Sequence, residues 1–297
     1  MTTKMRSCFH IEIVTPKRVV LDGLWFGLRK PKRLIIFVHG LTGSLFSMRR
    51  IMDVMVGGGT AVLVFNNRGF EHVSEYKQKK GKNSKWKVGG AGHEIFTECA
   101  DDIEGAVRFA RRAGVKNVYL AGHSTGCQKA VYWASKHAGG RAVKGIICLG
   151  PLSDYAIALE QDSGGKLKRA VAYARALVAK GKPHELMPVA LGPWFTCDAQ
   201  RFLSLCTPDS PEEIFSYAQP KKMPRALRAL RIPVLTLLAG NEEHTKRPAE
   251  DIAKWLEENI RTPHRVVIVL DVGHGFKGGE RVVLRTIRQF LASTTIQ

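Results

Sequence analysis

The sequence predicts an α/β protein with a mostly parallel sheet and helices on both of its faces. Three observations carry that prediction. Short, continuous apolar runs recur and end in glycine-bearing turns, the pattern of strands buried on both sides. Amphipathic stretches of helical period lie between them, at the spacing of strand–helix–strand units. The alternation breaks over residues 152–228 and then resumes, which divides the chain into a first core part (1–151), an inserted helical cap (152–228) and a second core part (229–297).

Two extended segments open the chain, near 10–15 and 18–27. Arg33–His39 reads as a buried strand ending at Gly40-Leu41-Thr42-Gly43, with a helix pattern from about 45 to 56. Thr60–Phe65 is a second buried strand, ending at Asn66-Asn67-Arg68-Gly69. The Lys/Gly-rich stretch 71–93 reads as loop. An amphipathic helix follows over 97–113, with Ile103, Ala106, Val107 and Ala110 on one face and Gly114 at its end. A strand over 117–121, a helix to about 138 that stops at Gly139-Gly140, and the strand Val143–Leu149 complete the first part. In the cap, Lys166–Ala179 and 198–206 are helical. Its Trp194, Phe195, Phe202 and Leu205 either line a substrate pocket or pack the cap onto the core. The alternation returns with the strand Pro233–Leu238, a helix over 248–260, the strand Arg265–Leu270 and a terminal helix over 279–292.

Composition narrows the function classes. Hydrophobic residues make up 44% and charged residues 24% of the 297 positions, as in globular domains that bury a sizeable core. No run approaches the roughly 18 apolar residues that span a bilayer. Met1–His10 is basic without an apolar stretch, so no signal peptide is expected and a cytoplasmic location is. The six cysteines are scattered without a Cys-x-x-Cys pair and read as free thiols. The 46 basic against 26 acidic residues give a net charge of +20, with clusters at Lys77–Lys87, Lys166–Arg169 and Lys221–Arg231. Such charge favours acidic partners. No nucleic-acid motif accompanies it, so a solvated basic surface is expected rather than a nucleic-acid site.

The chemistry is concentrated at one turn. Gly122-His123-Ser124-Thr125-Gly126 sits between an apolar strand and a helix, which is the setting a nucleophile elbow requires. A serine hydroxyl must be held clear of the backbone there, and side chains at the two glycine positions would crowd the turn. A serine needs a base to take its proton. His274, in Val272-Gly273-His274-Gly275-Phe276 after the late strand, is the best placed of the ten histidines. The base needs a carboxylate to fix its tautomer. Ala239-Gly240-Asn241-Glu242-Glu243-His244 offers two, and the order Ser…Glu…His suits this class. Glu243, three residues after the glycine, is favoured over Glu242. Asp154, after the preceding strand, is a third candidate, with a turn or helix cap as its plainer reading. Solvated loop charges are the plainer reading of the Glu pair. The oxyanion of acyl transfer needs two N–H donors, expected from Thr125 and from Leu41 in the His39-Gly40-Leu41 turn. The sequence contains no His-x-x-x-His pair, cysteine cluster or phosphate loop, and no metal or cofactor is expected.

As a set, the elbow, the His-Gly turn, the acidic turn and the late Gly-His-Gly resemble the α/β-hydrolase superfamily over about residues 30–292. The resemblance implies that fold, with Ser124 as nucleophile, His274 as base, Glu243 as acid and Leu41 and Thr125 at the oxyanion hole. Three segments, Gly122–Gln128, Glu98–Ile103 and Pro151-Leu152-Ser153-Asp154, are also similar to a hydrolase family that includes fungal siderophore esterases. Arg201–Leu205 followed by Glu213–Ser216 extends that similarity, while the Lys-rich 77–87 segment and the basic cap depart from it. The expected function is hydrolysis of a small-molecule carboxylic ester through an acyl-enzyme on Ser124. Amide hydrolysis or acyl transfer by the same residues is the alternative, and an inactive binding protein with a working basic surface is a third.

Overall fold

The computed structural model describes residues 6–193 and 195–295. Its elements run β1 (Cys8–Val14), β2 (Val19–Phe26), β3 (Arg33–Val38), α1 (Arg49–Met55), β4 (Thr60–Phe65), β5 (Ser74–Lys80), β6 (Asn83–Gly89), α2 (Cys99–Arg112), β7 (Val118–His123), α3 (Thr125–Lys136) and β8 (Ile146–Leu149). Four helices follow: α4 (Asp154–Glu160), α5 (Lys166–Ala179), α6 (Ala199–Cys206) and α7 (Arg225–Arg228). The chain then makes β9 (Val234–Ala239), α8 (Ala249–Asn259), β10 (His264–Val269) and α9 (Glu280–Thr295). Strands β10, β9, β8, β7, β3 and β4 are mutually parallel in that spatial order. β2 runs antiparallel to β4 and to β1, and the β5–β6 hairpin joins the sheet through β2.

The buried strands carry apolar residues at every position because each face of the sheet has its own helical cover. Leu34, Ile36 and Val38 of β3 pack on one face with Ile103 and Val107 of α2, Trp133 of α3 and Leu256 of α8. The intervening Ile35 and Phe37 point the other way, against Ile51 and Met55 of α1 and Ile287 and Leu291 of α9. Successive side chains of a strand alternate between faces, so a strand covered on both reads as an unbroken apolar run. Full burial of each such side chain is worth roughly 1.5–3 kcal/mol. α2 buries the expected Ile103, Ala106, Val107 and Ala110 stripe and ends at Gly114, whose φ of 81° is cheap only without a Cβ. Residues 158–206 form a third, separate apolar cluster around Ala174, Met187, Phe202 and Leu205.

One segment differs from the sequence reading. The stretch 71–93 is not loop throughout but carries the β5–β6 hairpin, closed by the two residues Gly81 and Lys82, with Gly81 at φ 61°. β6 is exposed along six of its seven residues, so burial imposes no apolar alternation on it. Two shorter differences are offsets at element ends: α1 begins at Arg49, and the strand after Gly139-Gly140 begins at Ile146. Among the described residues, no helix is long and apolar enough to cross a membrane.

Candidate active site

Ser124 sits between β7 and α3 with φ 54° and ψ −128°, a conformation that costs a non-glycine residue energy unless its surroundings fix it. They do. The Ser124 N–H donates to the Leu149 carbonyl at 2.9 Å, and the Ser124 carbonyl accepts from Cys127 N–H at 2.8 Å. The flanking glycines are required by space. A Cβ at Gly122 would run into the Gly126 carbonyl, and one at Gly126 into the Val38 carbonyl. A Cβ on Gly40 would come within 2.8 Å of Ser124 Cβ, so the turn after β3 lies directly against the serine. Leu41 therefore stands beside Ser124, and Thr125 begins α3 immediately after it.

His274 lies on the loop between β10 and α9, 7% exposed. Its Nδ1 meets Glu242 Oε2 at 2.7 Å, and both side chains are almost fully buried. Its backbone N–H donates to Glu243 Oε2 at 2.7 Å, and its carbonyl lies 3.0 Å from His123 Nε2. The carboxylate on the imidazole is thus that of Glu242, not the favoured Glu243. Glu243 is spent on the backbone of the histidine loop, and Gly273 admits it, since a Cβ there would come within 2.7 Å of Glu243 Oε2. Partial burial pushes the Glu243 carboxyl up, but the His274 N–H, its own backbone N–H and the nearby His244 and His274 together hold the group below the ordinary value. Gly150 at the end of β8 leaves room for the ring, because a Cβ there would stand 3.1 Å from His274 Nδ1.

Ser124 and His274 line one cavity of about 690 Å³, together with Gly40, Leu41, His72, Gln128, Asp154 and Phe195. Asp154, the third acid candidate, is not on His274. It accepts from Gln128 Nε2 at 3.1 Å, and burial, then the charge of Glu212, pushes its carboxyl up to about 8. The cap of α4 is Ser153, whose hydroxyl accepts from Ala156 N–H at 2.9 Å. His39 is buried and His123 half-buried, and both are held neutral: desolvation, then nearby positive charge, lowers them to about 4 and about 3. Of the four side chains offered as pocket lining, Phe195 lines this cavity, packing edge-on to His72 at 6.1 Å. Phe202 and Leu205 are buried in the cluster around α5 and α6, and Trp194 lies outside the described residues.

Beneath the site runs a buried ionic layer that the sequence reading missed. Lys129 Nζ pairs with Glu94 Oε1 at 2.6 Å, and Arg201 bridges Glu94 at 3.1 Å and Glu212 at 2.5 Å. Arg201 is fully buried, a placement that charge tolerates only with such partners. Next to this layer, Ser153 Oγ donates to Glu213 at 2.8 Å, and Ser153 N–H donates to Tyr217 Oη at 3.0 Å.

The fold is that of the α/β hydrolases. Over its length the chain is similar to GrgF, an α/β hydrolase from Penicillium sp. sh18, with TM-score 0.70 and 13% identity over 98% of this chain and all of that one. It is similar to DcsB, solved with a substrate analogue, with TM-score 0.69 and 14% identity over 98% of this chain and all of that one. It is also similar to Est1E from Butyrivibrio proteoclasticus, solved with ferulic acid, with TM-score 0.64 and 16% identity over 97% of this chain and all of that one. Among curated proteins no sequence matches. The sequence does match one family model across residues 82–263, from the β5–β6 hairpin to the threshold of β10, and on that match the chain belongs to the family described as protein of unknown function DUF1749.

Proposed function

We propose that the protein is a serine hydrolase of small carboxylic esters. One observation carries the reading: Ser124, on a strained strand-to-helix turn, and His274, whose Nδ1 rests on the buried carboxylate of Glu242, open into the same cavity. In this reading Glu242 holds His274 with its proton on Nδ1 and stabilises the imidazolium that forms. Nε2 then takes the Ser124 proton as Oγ attacks the carbonyl. The N–H groups of Leu41 and Thr125 receive the oxyanion, and neither meets a protein acceptor among the described residues. The alcohol leaves with the proton from His274, and water releases the acyl group by the reverse route. Gln128 and Asp154 give one wall of the cavity a polar character suited to a hydroxyl or amide on the substrate. One of the similar folds, Pf2001 of Pyrococcus furiosus, is described as an esterase, which agrees with the reading.

The test is turnover of p-nitrophenyl acetate by wild type and Ser124→Ala. A burst of nitrophenol equal to the enzyme concentration, absent from a folded Ser124→Ala, is expected for an acyl-enzyme. Equal turnover by the two proteins would end the assignment. Cleavage of a matched anilide faster than the ester would move the activity to amides.

A further inference from the structure

Away from Ser124, three metal-ligand side chains from distant parts of the chain converge on one point. His93 follows the Gly90–Gly92 turn of the core, His184 lies in the loop after α5, and Asp198 caps α6. The Nδ1 atoms of His93 and His184 stand 3.1 and 2.9 Å from the same oxygen, Asp198 Oδ2. All three candidate ligand atoms lie within 4.8 Å of one another. The carboxylate is fixed from behind. Its Oδ1 accepts from Arg201 N–H at 2.8 Å, and the Asp198 N–H donates to the Gly92 carbonyl at 2.9 Å. Asp198 is fully buried, His93 is 20% exposed and His184 59%, so the group opens outward on one side.

The two nitrogen–oxygen separations match those between neighbouring ligands in a metal's coordination shell. Ligand atoms about 2.0–2.1 Å from an ion, at octahedral or tetrahedral angles, lie roughly 2.8–3.4 Å apart. An N₂O donor set suits borderline divalent ions, not calcium or magnesium, which want oxygen alone, nor copper(I), which wants sulfur. The bonds that anchor Asp198 are the outer support such a site needs. A cavity of about 480 Å³, bordered by both histidines and by Arg68 and Glu98, leaves space for water ligands to complete the shell. The spacing, 91 residues from His93 to His184 and 14 on to Asp198, forms no local sequence motif, which is why the sequence reading expected no metal.

We propose that His93, His184 and Asp198 form a zinc-type divalent metal site that ties the segment between β8 and β9 to the core. The consequence reaches the Ser124 cavity through three residues of chain, because Phe195 lines that cavity and Asp198 is a ligand. The proposal stands independently of the esterase reading, since its readouts are metal binding and stability.

The test uses tag-free protein stripped with a chelator and titrated with zinc sulfate, followed by calorimetry and thermal melting. Wild type is expected to bind one tight equivalent and to gain several degrees in Tm. His184→Ala, an exposed position that leaves the fold intact, is expected to weaken that equivalent at least ~100-fold and to lose the Tm gain. A second cluster, Glu242, His244 and His274, also has ligand spacing, so His244→Ala serves as the control and is expected to keep the tight equivalent. Cobalt(II) in place of zinc should give the visible absorption of a low-coordinate N/O site in wild type and not in His184→Ala. Wild type binding no zinc at micromolar concentrations, or His184→Ala binding as tightly as wild type, would overturn the proposal.

Discussion

Replacing Glu242 by Gln and, separately, Glu243 by Gln distinguishes two adjacent carboxylates that the structure gives different work. Glu242 Oε2 is 2.7 Å from His274 Nδ1 in a nearly dry site, and Glu243 Oε2 is 2.7 Å from the His274 backbone N–H. A hydrogen bond to a charged group contributes about 1.5–3 kcal/mol. If Glu242 spends that on the imidazolium of the transition state, its loss lowers kcat about 10- to 100-fold. The loss can approach ~10⁴ where the amide donates to Nδ1 and holds the wrong tautomer. Glu243→Gln keeps an acceptor for the backbone N–H and loses only the charge assistance, about 1 kcal/mol, which should appear mainly in Tm. The assay is kcat/KM on an acetate ester for the three proteins, with Tm of each. The pair should separate by at least ~10-fold, Glu242→Gln being the slower. Glu243→Gln as the slower enzyme would refute the assignment and return the acid to Glu243.

Further outcomes follow from the same geometry. Gly40→Ala places a methyl within 2.8 Å of Ser124 Cβ, and the displacement should cut kcat about 100-fold, visible in ester turnover of a protein that still melts cooperatively. Asp154, pushed up to about 8 from an ordinary 3.8, keeps its proton in the fold and loses it unfolded, so it removes stability as pH rises from about 4 to 8. Asp154→Asn should therefore hold its Tm better than wild type between pH 6 and 9, and parallel curves would exclude Asp154 as the group. Glu213, pushed up to about 7 by burial, has the same sign and should leave a residual slope below pH 7. His123 and His39, lowered to about 3 and 4, contribute stability that is complete above pH 6.5 and lost as pH falls from there to those values. His123→Gln should flatten the acid limb of a Tm-against-pH curve.

The sheet was legible because β3, β4, β7 and β9 are covered on both faces, and that burial writes itself as unbroken apolar runs. The elbow was legible because its glycines are fixed by contacts within a few residues or with the adjacent strand. The β5–β6 hairpin was hidden by exposure: with few buried side chains, its lysines show no apolar alternation. The choice between Glu242 and Glu243 depends on how one loop turns past another, 31 and 32 residues later in the chain, and residue spacing carries no record of that. The Glu94–Lys129–Arg201 layer and the His93–His184–Asp198 group span 107 and 105 positions of the chain, beyond the reach of any local pattern.

The central claim is that Ser124 is an activated nucleophile, and the most direct measurement is intact mass after treatment with a fluorophosphonate. Only an activated serine reacts readily with that reagent. Wild type should gain a single adduct, mapped to the peptide containing Ser124, and folded Ser124→Ala should gain none. A folded wild type that stays unmodified, or an equal adduct on Ser124→Ala, would contradict the account.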